Sequence, residues 1–221
     1  RIVVLRGAGR AFCAGLDRKA RSNAPQRSGN SVSSPQAGLA GQRRISEIVM
    51  RMRRAPQPII SLVHGPACGG GFALALASDI RIAGESARMN AAFIRIGLSA
   101  CDICVSYFLP RLVGVSVASE LMLTGRFINA ARAERVGLVS ETVPDEELTS
   151  AVRPYLDEML TTTPLGLRLT KECLNMSVDA GSLEAAIAME DRNQILCAQT
   201  EDFQEGISAF LTKRPPVYKN S

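Results

Sequence analysis

A glycine-rich turn between a buried strand and an apolar helix constrains the fold of this 221-residue chain more than any other feature. Residues 59–63 form an apolar run that predicts a buried strand, residues 65–71 form the turn, and residues 72–77 predict an apolar helix. A further apolar run at residues 79–83 predicts the next strand. Alternating strands and helices indicate parallel strands joined by right-handed crossovers, so the sequence predicts an α/β fold.

A second glycine turn, at residues 12–17, follows the first predicted strand at residues 1–6. Parallel strands of neighbouring crossover units place both turns at the same sheet edge, where α/β folds bind ligands. Glycine lets backbone N–H groups approach a ligand closely, and a helix N-terminus adds positive partial charge. Two converging N–H groups would form an oxyanion hole. By itself, a glycine-rich turn before a helix is most often tight packing with no further role.

Outside this predicted α/β core, three parts of the chain have other sequence patterns. After about Val115 the pattern predicts short helices, with start signals at Ser116, Asn129, Asp145, Pro164, Ser182 and Thr200. Residues 18–42 are rich in Ser, Gly, Gln, Asn and Arg, which predicts a surface loop. The chain opens inside a predicted strand without Met, and we expect that a further N-terminal segment precedes it.

Composition and charge argue against several classes of protein. No apolar run approaches the roughly 20 residues of a membrane span, and nothing matches a secretory signal, so we expect no membrane association. Six scattered cysteines fit reduced thiols in a cytoplasmic protein. The net charge of +5 and pI of about 9.1 fit anionic small ligands as well as nucleic acid. With no Trp and three Tyr to stack on bases, nucleic acid is the weaker interpretation.

Three other groups have simple interpretations. Cys101 and Cys104 form a Cys-x-x-Cys pair, but without a second pair and with one histidine they fit buried small residues better than a metal site. His64 fits a structural residue better than a general base, because no Gly-x-Ser-x-Gly elbow or second histidine accompanies it. The arginines between residues 43 and 54 fit a solvated helix face, with contacts to ligand phosphates as the next interpretation.

Taken together, the glycine turns resemble the two oxyanion segments of the crotonase family of enoyl-CoA hydratases and isomerases. Residues 10–17 resemble the first segment and residues 63–72 the second. Further matching segments follow in the family's order at residues 77–83, 109–114, 123–126, 133–139 and 205–215. The resemblance implies a crotonase-like (ClpP/crotonase) fold, with a repeated ββα crossover core and a C-terminal helical region. We expect the core with the acyl-CoA site at residues 1–140 and the helical trimerisation or lid region at residues 141–221.

The resemblance also implies the substrate and the residues that contact it. The substrate would be an acyl-CoA thioester, and the N–H groups of Leu16 and Gly70 would stabilise its enolate in an oxyanion hole. Coenzyme A would be contacted around Phe12, Ala14, Asp17, Gly69 and Lys213. No metal is implied, and no cofactor beyond the coenzyme A of the substrate. The family's assembly implies a homotrimer or hexamer.

Departures from the family pattern bear on the reaction. Hydratases of the family use two glutamates, and the matching positions here are Ala73 and the pair Ala92-Phe93. A hydration that needs two positioned carboxylates is therefore in doubt. Asp102 resembles the single aspartate of certain family isomerases when counted back from Leu109, but lies one residue late when counted forward from residue 96. It could also cap a helix.

The sequence therefore favours double-bond isomerisation with Asp102 as the proton shuttle. Hydration of 2-enoyl-CoA in fatty-acid oxidation is the alternative. Two further hypotheses are a non-catalytic acyl-CoA binder and an RNA-binding protein that uses the arginine helix, since some relatives combine both roles.

Overall fold

Two sheets form the centre of the protein in a computed structural model that describes residues 1–17 and 34–220. The strands are β1 (Val3–Arg6), β2 (Ile59–Val63), β3 (Pro66–Cys68), β4 (Ile80–Gly84), β5 (Arg88–Asn90), β6 (Ile128–Asn129) and β7 (Glu141–Val143). The main sheet has the order β1-β2-β4-β7, and every pair in it is parallel. The second sheet has the order β3-β5-β6, with β3 and β5 parallel and β5 and β6 antiparallel. The predicted α/β crossover arrangement is confirmed.

Helices surround these sheets and dominate the C-terminal part. They are α1 (Pro35–Arg54), α2 (Gly70–Ala77), α3 (Val105–Thr124), α4 (Ala130–Arg135), α5 (Leu148–Leu160), α6 (Pro164–Ser177), α7 (Leu183–Ala198) and α8 (Glu201–Leu211), with a short 3₁₀ helix at Ala92–Ile96. The predicted starts at Asn129, Ser182 and Thr200 are confirmed, because each side chain accepts a hydrogen bond from a backbone N–H of its helix. None of the described helices is both long and apolar enough to cross a bilayer.

Two predicted element boundaries differ from the observed ones. A helical stretch does begin beside Ser116, because α3 is broken at Gly114 (φ 77°, ψ 158°), but Ser116 lies two residues after the break and is not the cap residue. The predicted loop at residues 18–42 is too long, because residues 35–42 belong to α1. Ser34 caps this helix by accepting a hydrogen bond from the N–H of Ala37 at 3.3 Å, and Pro35 occupies its first turn. Residues 18–33 lie outside the described part of the chain.

The main sheet separates two apolar clusters. All five residues of β2 are buried. The larger cluster packs α2 and α3 against the second sheet and includes Phe72, Met89 and Leu109. The smaller one packs α5 on the opposite side of the main sheet, around Ile60 and Ile82. Strand β7 and helix α5 follow residue 140 yet pack on the main sheet, and the division of the chain at that residue stays a prediction.

A largely buried group of charges joins α1 and α6 to the main sheet. The Asp79 carboxylate lies 3.0 Å from Nη1 of Arg53 and 2.8 Å from Nζ of Lys171, and it accepts the N–H of Ile59 at 2.8 Å. Lys171 is buried and also donates to two backbone carbonyls. Burial lowers the pKa of Lys171, and the hydrogen bond and charge of Asp79 oppose that shift. Asp79 therefore compensates the buried Lys171 and the half-buried Arg53.

Replacing Asp79 with Ala should lower the free energy of unfolding by about 3 kcal/mol, because it leaves Lys171 and Arg53 without their anion. The control is Asp157→Ala, which removes an exposed pair with Arg153 and should change stability by less than about 1 kcal/mol. Urea unfolding of both variants at one protein concentration measures the difference. Equal losses in the two variants would contradict a special role for the buried group.

Candidate active site

The two glycine turns lie against each other, as the sequence predicted. The N–H of Phe12 donates to the carbonyl of His64 at 2.8 Å, and the N–H of Cys13 donates to the carbonyl of Pro66 at 3.2 Å. In return, the N–H of Cys68 donates to the carbonyl of Cys13 at 2.9 Å. The first turn therefore runs alongside β3 and reaches the N-terminus of α2.

Glycine is required where the turns meet. A Cβ atom at Gly71 would lie 2.0 Å from the carbonyl oxygen of Cys13, a distance that no real side chain tolerates. Gly15 has a φ of +97°, and a Cβ there would lie 2.9 Å from the carbonyl oxygen of Cys68 and 3.9 Å from the amide nitrogen of Gly70. These contacts place Leu16, the neighbour of Gly15, next to the start of α2.

The N–H groups of Leu16 and Gly70 make no hydrogen bond with any residue that the structure describes. Gly70 is the first residue of α2, so its N–H has no partner within the helix and carries part of the positive end of the helix dipole. Gly69 before it has a φ of +54° and donates its own N–H to the carbonyl of Asn90 at 3.0 Å. Each turn therefore contributes one backbone N–H that has no partner among the described residues.

Apolar side chains pack beside these donors. The Phe93 ring lies 3.3 Å from the Cβ position of Gly69, and Cδ1 of Ile103 lies 3.7 Å from that of Gly70. Asp102 directly precedes Ile103 and is half-buried. Asp102 is thus carried by a segment whose Ile103 side chain packs against the start of α2.

The Asp102 side chain is bonded to a residue of α1 and does not cap α3. Its Oδ1 accepts a hydrogen bond from Nε2 of Gln42, and its backbone carbonyl accepts the N–H of Val105 at 3.0 Å. The cap position of α3 is Cys104, which makes no side-chain cap bond. The helix-cap interpretation of Asp102 was therefore wrong, because a left-handed turn at Ile103 and Cys104 separates Asp102 from the helix.

The turn between Asp102 and α3 uses an unfavourable backbone conformation. Ile103 has a φ of 46° and Cys104 a φ of 65°, and neither residue is glycine. Residues in this left-handed region cost on the order of 1–3 kcal/mol each and persist where surrounding structure fixes them. The pKa of the Cys104 thiol is raised by burial and, to a lesser extent, by the negative charge of Asp102. The strained turn thus holds Asp102 near the Cys104 thiol and packs the Ile103 side chain against the start of α2.

The positions that match the family's two glutamates hold apolar side chains. Ala73 is fully buried in α2. Ala92 begins the 3₁₀ helix, and the adjacent Phe93 is also buried. Neither position supplies a carboxylate to the glycine turns.

The residues expected to contact coenzyme A lie in two places. Phe12 is buried beside the first turn, whereas Ala14 and Asp17 are exposed at it. Gly69 lies at the junction with α2. Lys213 follows α8 with a φ of 53°, and its N–H donates to the carbonyl of Phe210 at 3.2 Å. The roles of these residues, like those of Leu16 and Gly70, stay predictions.

The structure also shows where the other residues singled out from the sequence lie. Nε2 of His64 lies 3.0 Å from the carbonyl of Gly9, which ties the histidine to the chain before the first turn. Cys101 is exposed, so its interpretation as a buried small residue was wrong. Within the described residues, no three His, Cys, Asp or Glu side chains form a group that could hold a metal ion. Arg53 belongs to the buried charges around Asp79 and not to the solvated face of α1.

Gln42, Ile103 and Cys104 are site residues that sequence reasoning missed. The Ser34-Pro35 start signal could have revealed the helix that carries Gln42. No sequence signal marks Ile103 or Cys104, because positive φ is expected of glycine.

This combination of interlocked glycine turns and parallel crossovers is the crotonase fold. The enoyl-CoA hydratase from Bacillus anthracis has the same fold, with a TM-score of 0.90 and 33% identity over 100% of this chain and 82% of that one. The chain belongs to the enoyl-CoA hydratase/isomerase family, whose sequence model matches residues 1–221. The resemblance drawn from the sequence is thereby confirmed.

Named relatives differ in their reactions. The Mycobacterium tuberculosis protein named "Probable enoyl-CoA hydratase EchA12" is 42% identical over 219 residues, which cover 99% of this chain and 76% of that protein. The 1,2-epoxyphenylacetyl-CoA isomerase of Escherichia coli K12 is 35% identical over 218 residues, or 99% of this chain and 80% of that enzyme. Membership of the family therefore leaves the reaction open.

Substituting Gly71 with Ala should lower the free energy of unfolding by about 3 kcal/mol, because the new methyl group meets the backbone of Cys13. Gly38→Ala is the matched control, since Gly38 lies in α1 with nothing within 4 Å, and it should gain about 0.5–1 kcal/mol. Urea unfolding compares the two. A stable Gly71→Ala protein would show that the turns can separate without cost.

At Cys104, two substitutions should have opposite effects on stability. Cys104→Gly removes the left-handed strain and should raise the free energy of unfolding by up to about 1 kcal/mol. Cys104→Val places a β-branched side chain in the same backbone conformation and should lower it by about 1–2 kcal/mol. Thermal and urea unfolding measure both, and a more stable Val variant would mean that the turn adopts another conformation.

Proposed function

We propose that this protein isomerises enoyl-CoA thioesters by moving a double bond between the 3,4 and 2,3 positions. The observation that carries the proposal is the meeting of the two glycine turns, which leaves the N–H groups of Leu16 and Gly70 without partners among the described residues, close to the segment that carries Asp102. Family membership supports an acyl-CoA thioester as the substrate.

Each group would have one task in the reaction. The Asp102 carboxylate takes a proton from C2 of a 3-enoyl-CoA, and the electrons of that C–H bond form an enolate whose negative charge lies on the thioester oxygen. Leu16 and Gly70 stabilise that oxygen through their N–H groups; losing one such donor typically lowers rates about 100- to 1,000-fold. The protonated Asp102 then returns the same proton to C4, and the double bond ends between C2 and C3. No proton is gained or lost overall, so one acid–base group suffices.

Hydration of a 2-enoyl-CoA is the second candidate, favoured by the hydratase name of the mycobacterial relative. Against it stand the buried Ala73 and the apolar Ala92-Phe93 pair, which provide no carboxylates to activate water and protonate the product.

Assembly, location and cofactor use form part of the same proposal. Large apolar side chains are exposed on the C-terminal helices, which supports a homotrimer or hexamer built through that region. They include Leu174, Leu183, Ile195, Phe210 and Leu211. Six free cysteines support a cytoplasmic location. The proposed chemistry needs no cofactor beyond the coenzyme A of the substrate, with Phe12, Ala14, Asp17, Gly69 and Lys213 in contact with it.

The purified protein should convert a 3-enoyl-CoA to the 2-enoyl isomer, and Asp102→Asn should lower kcat at least about 100-fold, since the amide cannot accept the proton. Asp157→Asn, on an exposed face of α5, is the control and should leave kcat unchanged. Product analysis by liquid chromatography, with a 2-enoyl-CoA assayed in parallel, measures both reactions.

Other results would redirect the assignment. Hydration that survives Asp102→Asn would favour the second candidate and a different acid. Binding of both thioesters without turnover would favour an acyl-CoA binder, and isomerisation unchanged by Asp102→Asn would remove Asp102 from the mechanism.

A further inference from the structure

A neutral amide contacts the Asp102 carboxylate. Nε2 of Gln42 donates a hydrogen bond to Oδ1 of Asp102 across 60 positions of sequence. Gln42 lies in the N-terminal half of α1, where residues 34–44 are exposed. No other side-chain hydrogen bond to the Asp102 carboxylate occurs among the described residues. The contact therefore joins the helix to the proposed proton shuttle and serves no evident purpose in the core.

Helix α1 provides a fixed base for this contact. Val49 is buried, and Arg53 is bound to the Asp79 carboxylate and lies over the Phe108 ring at 5.4 Å. Phe108 belongs to the first turns of α3, the helix that follows Asp102. The same two helices are thus tied together at one end by Arg53 and at the other by Gln42, and groups placed on such elements are positioned more precisely than groups on loops.

The chemistry of the carboxamide suits a carboxylate that must move a proton. A glutamine N–H donates one hydrogen bond and has no proton to exchange at neutral pH, so it does not compete in the reaction. Bonding to Oδ1 fixes the rotation of the carboxylate plane and leaves Oδ2 for the substrate proton. On the other side, the left-handed conformations of Ile103 and Cys104 fix the backbone of the same residue. Asp102 is constrained from both directions.

We infer that Gln42 is a positioning residue for Asp102, whose carboxamide holds the carboxylate in the orientation that transfers the proton. This inference rests on the proposed role of Asp102. A misplaced acid–base group reacts slowly even when substrate binding is intact, and small displacements can lower rates by up to about 100-fold.

Three variants test it with a 3-enoyl-CoA. Gln42→Met keeps the length of the side chain but cannot donate, and it should lower kcat about 10- to 100-fold while KM stays within about twofold and the melting temperature is unchanged. Gln36→Met on the same exposed stretch of α1 is the matched control, and its kcat should equal that of the parent protein. Gln42→Glu keeps the shape but places a negative charge against Asp102 at neutral pH.

The Gln42→Glu variant gives a readout that a structural role would not move. The new carboxyl lies beside a negative charge, which raises its pKa above the usual value of about 4.3, so it gains a donating O–H as the pH falls. The ratio of its kcat to that of the parent protein should therefore rise as the pH falls from about 8 to about 5.

The outcomes separate this inference from the proposed function. If Asp102→Asn abolishes isomerisation while Gln42→Met retains kcat within about twofold, Gln42 has no positioning role and the proposed function stands. A second result would also overturn it: Gln42→Met lowers both kcat and the melting temperature, and the kcat of Gln42→Glu relative to the parent protein does not change with pH. Those results would indicate a structural contact. If Asp102→Asn leaves isomerisation unchanged, the proposed function fails first.

Discussion

The backbone of Gly71 lies against the carbonyl of Cys13, and the candidate site depends on that contact. It brings the N-terminus of an apolar helix onto a turn from the preceding crossover unit, with no side chain between them. The amides of Leu16 and Gly70, from distant parts of the chain, then lie on the two meeting turns without partners among the described residues. In the proposed oxyanion hole both donors belong to the backbone, so the side chains around them can change without removing the donors. This separation is consistent with a family whose named members include both hydratases and an isomerase.

Helix α1 couples this backbone frame to the side chain that would do the chemistry. Its C-terminal half is bound through Arg53 to Asp79, whose carboxylate also compensates the buried Lys171. Buried charges are costly when a partner moves away, so such a group allows few alternative arrangements of the helices. The exposed half of α1 gains little from burial, yet its Gln42 contacts Asp102. The C-terminal half of α1 thus stabilises the packing of the helix, and its N-terminal half contacts the proposed proton shuttle.

Much of the fold could be predicted from local signals. Apolar runs located the parallel strands, and side chains able to bond a free N–H located helix starts such as Asn129 and Thr200. The positions of the glycines predicted that the two turns lie together, because close approach of two backbones requires glycine. Three features lacked such a signal. Ile103 and Cys104 adopt left-handed conformations that their side chains disfavour, polar composition hid the first turns of α1, and the contact of Gln42 with Asp102 depends on packing between distant segments. The cap interpretation of Asp102 failed because the local sequence could not show the left-handed turn at Ile103 and Cys104 that follows it.

The full burial of Ala73 bears on how such a protein could diverge. Its methyl group lies within the larger apolar cluster, packed with residues of α2 and the neighbouring elements. A glutamate there would have to place extra atoms and a charge in space that is already filled, at a cost from both overpacking and desolvation. A change of reaction through that position would therefore require neighbouring side chains to become smaller before the carboxylate arrived. The space around Ala73 thus limits the order in which substitutions can occur. Intermediate sequences would have a more loosely packed apolar cluster before a new reaction could be selected.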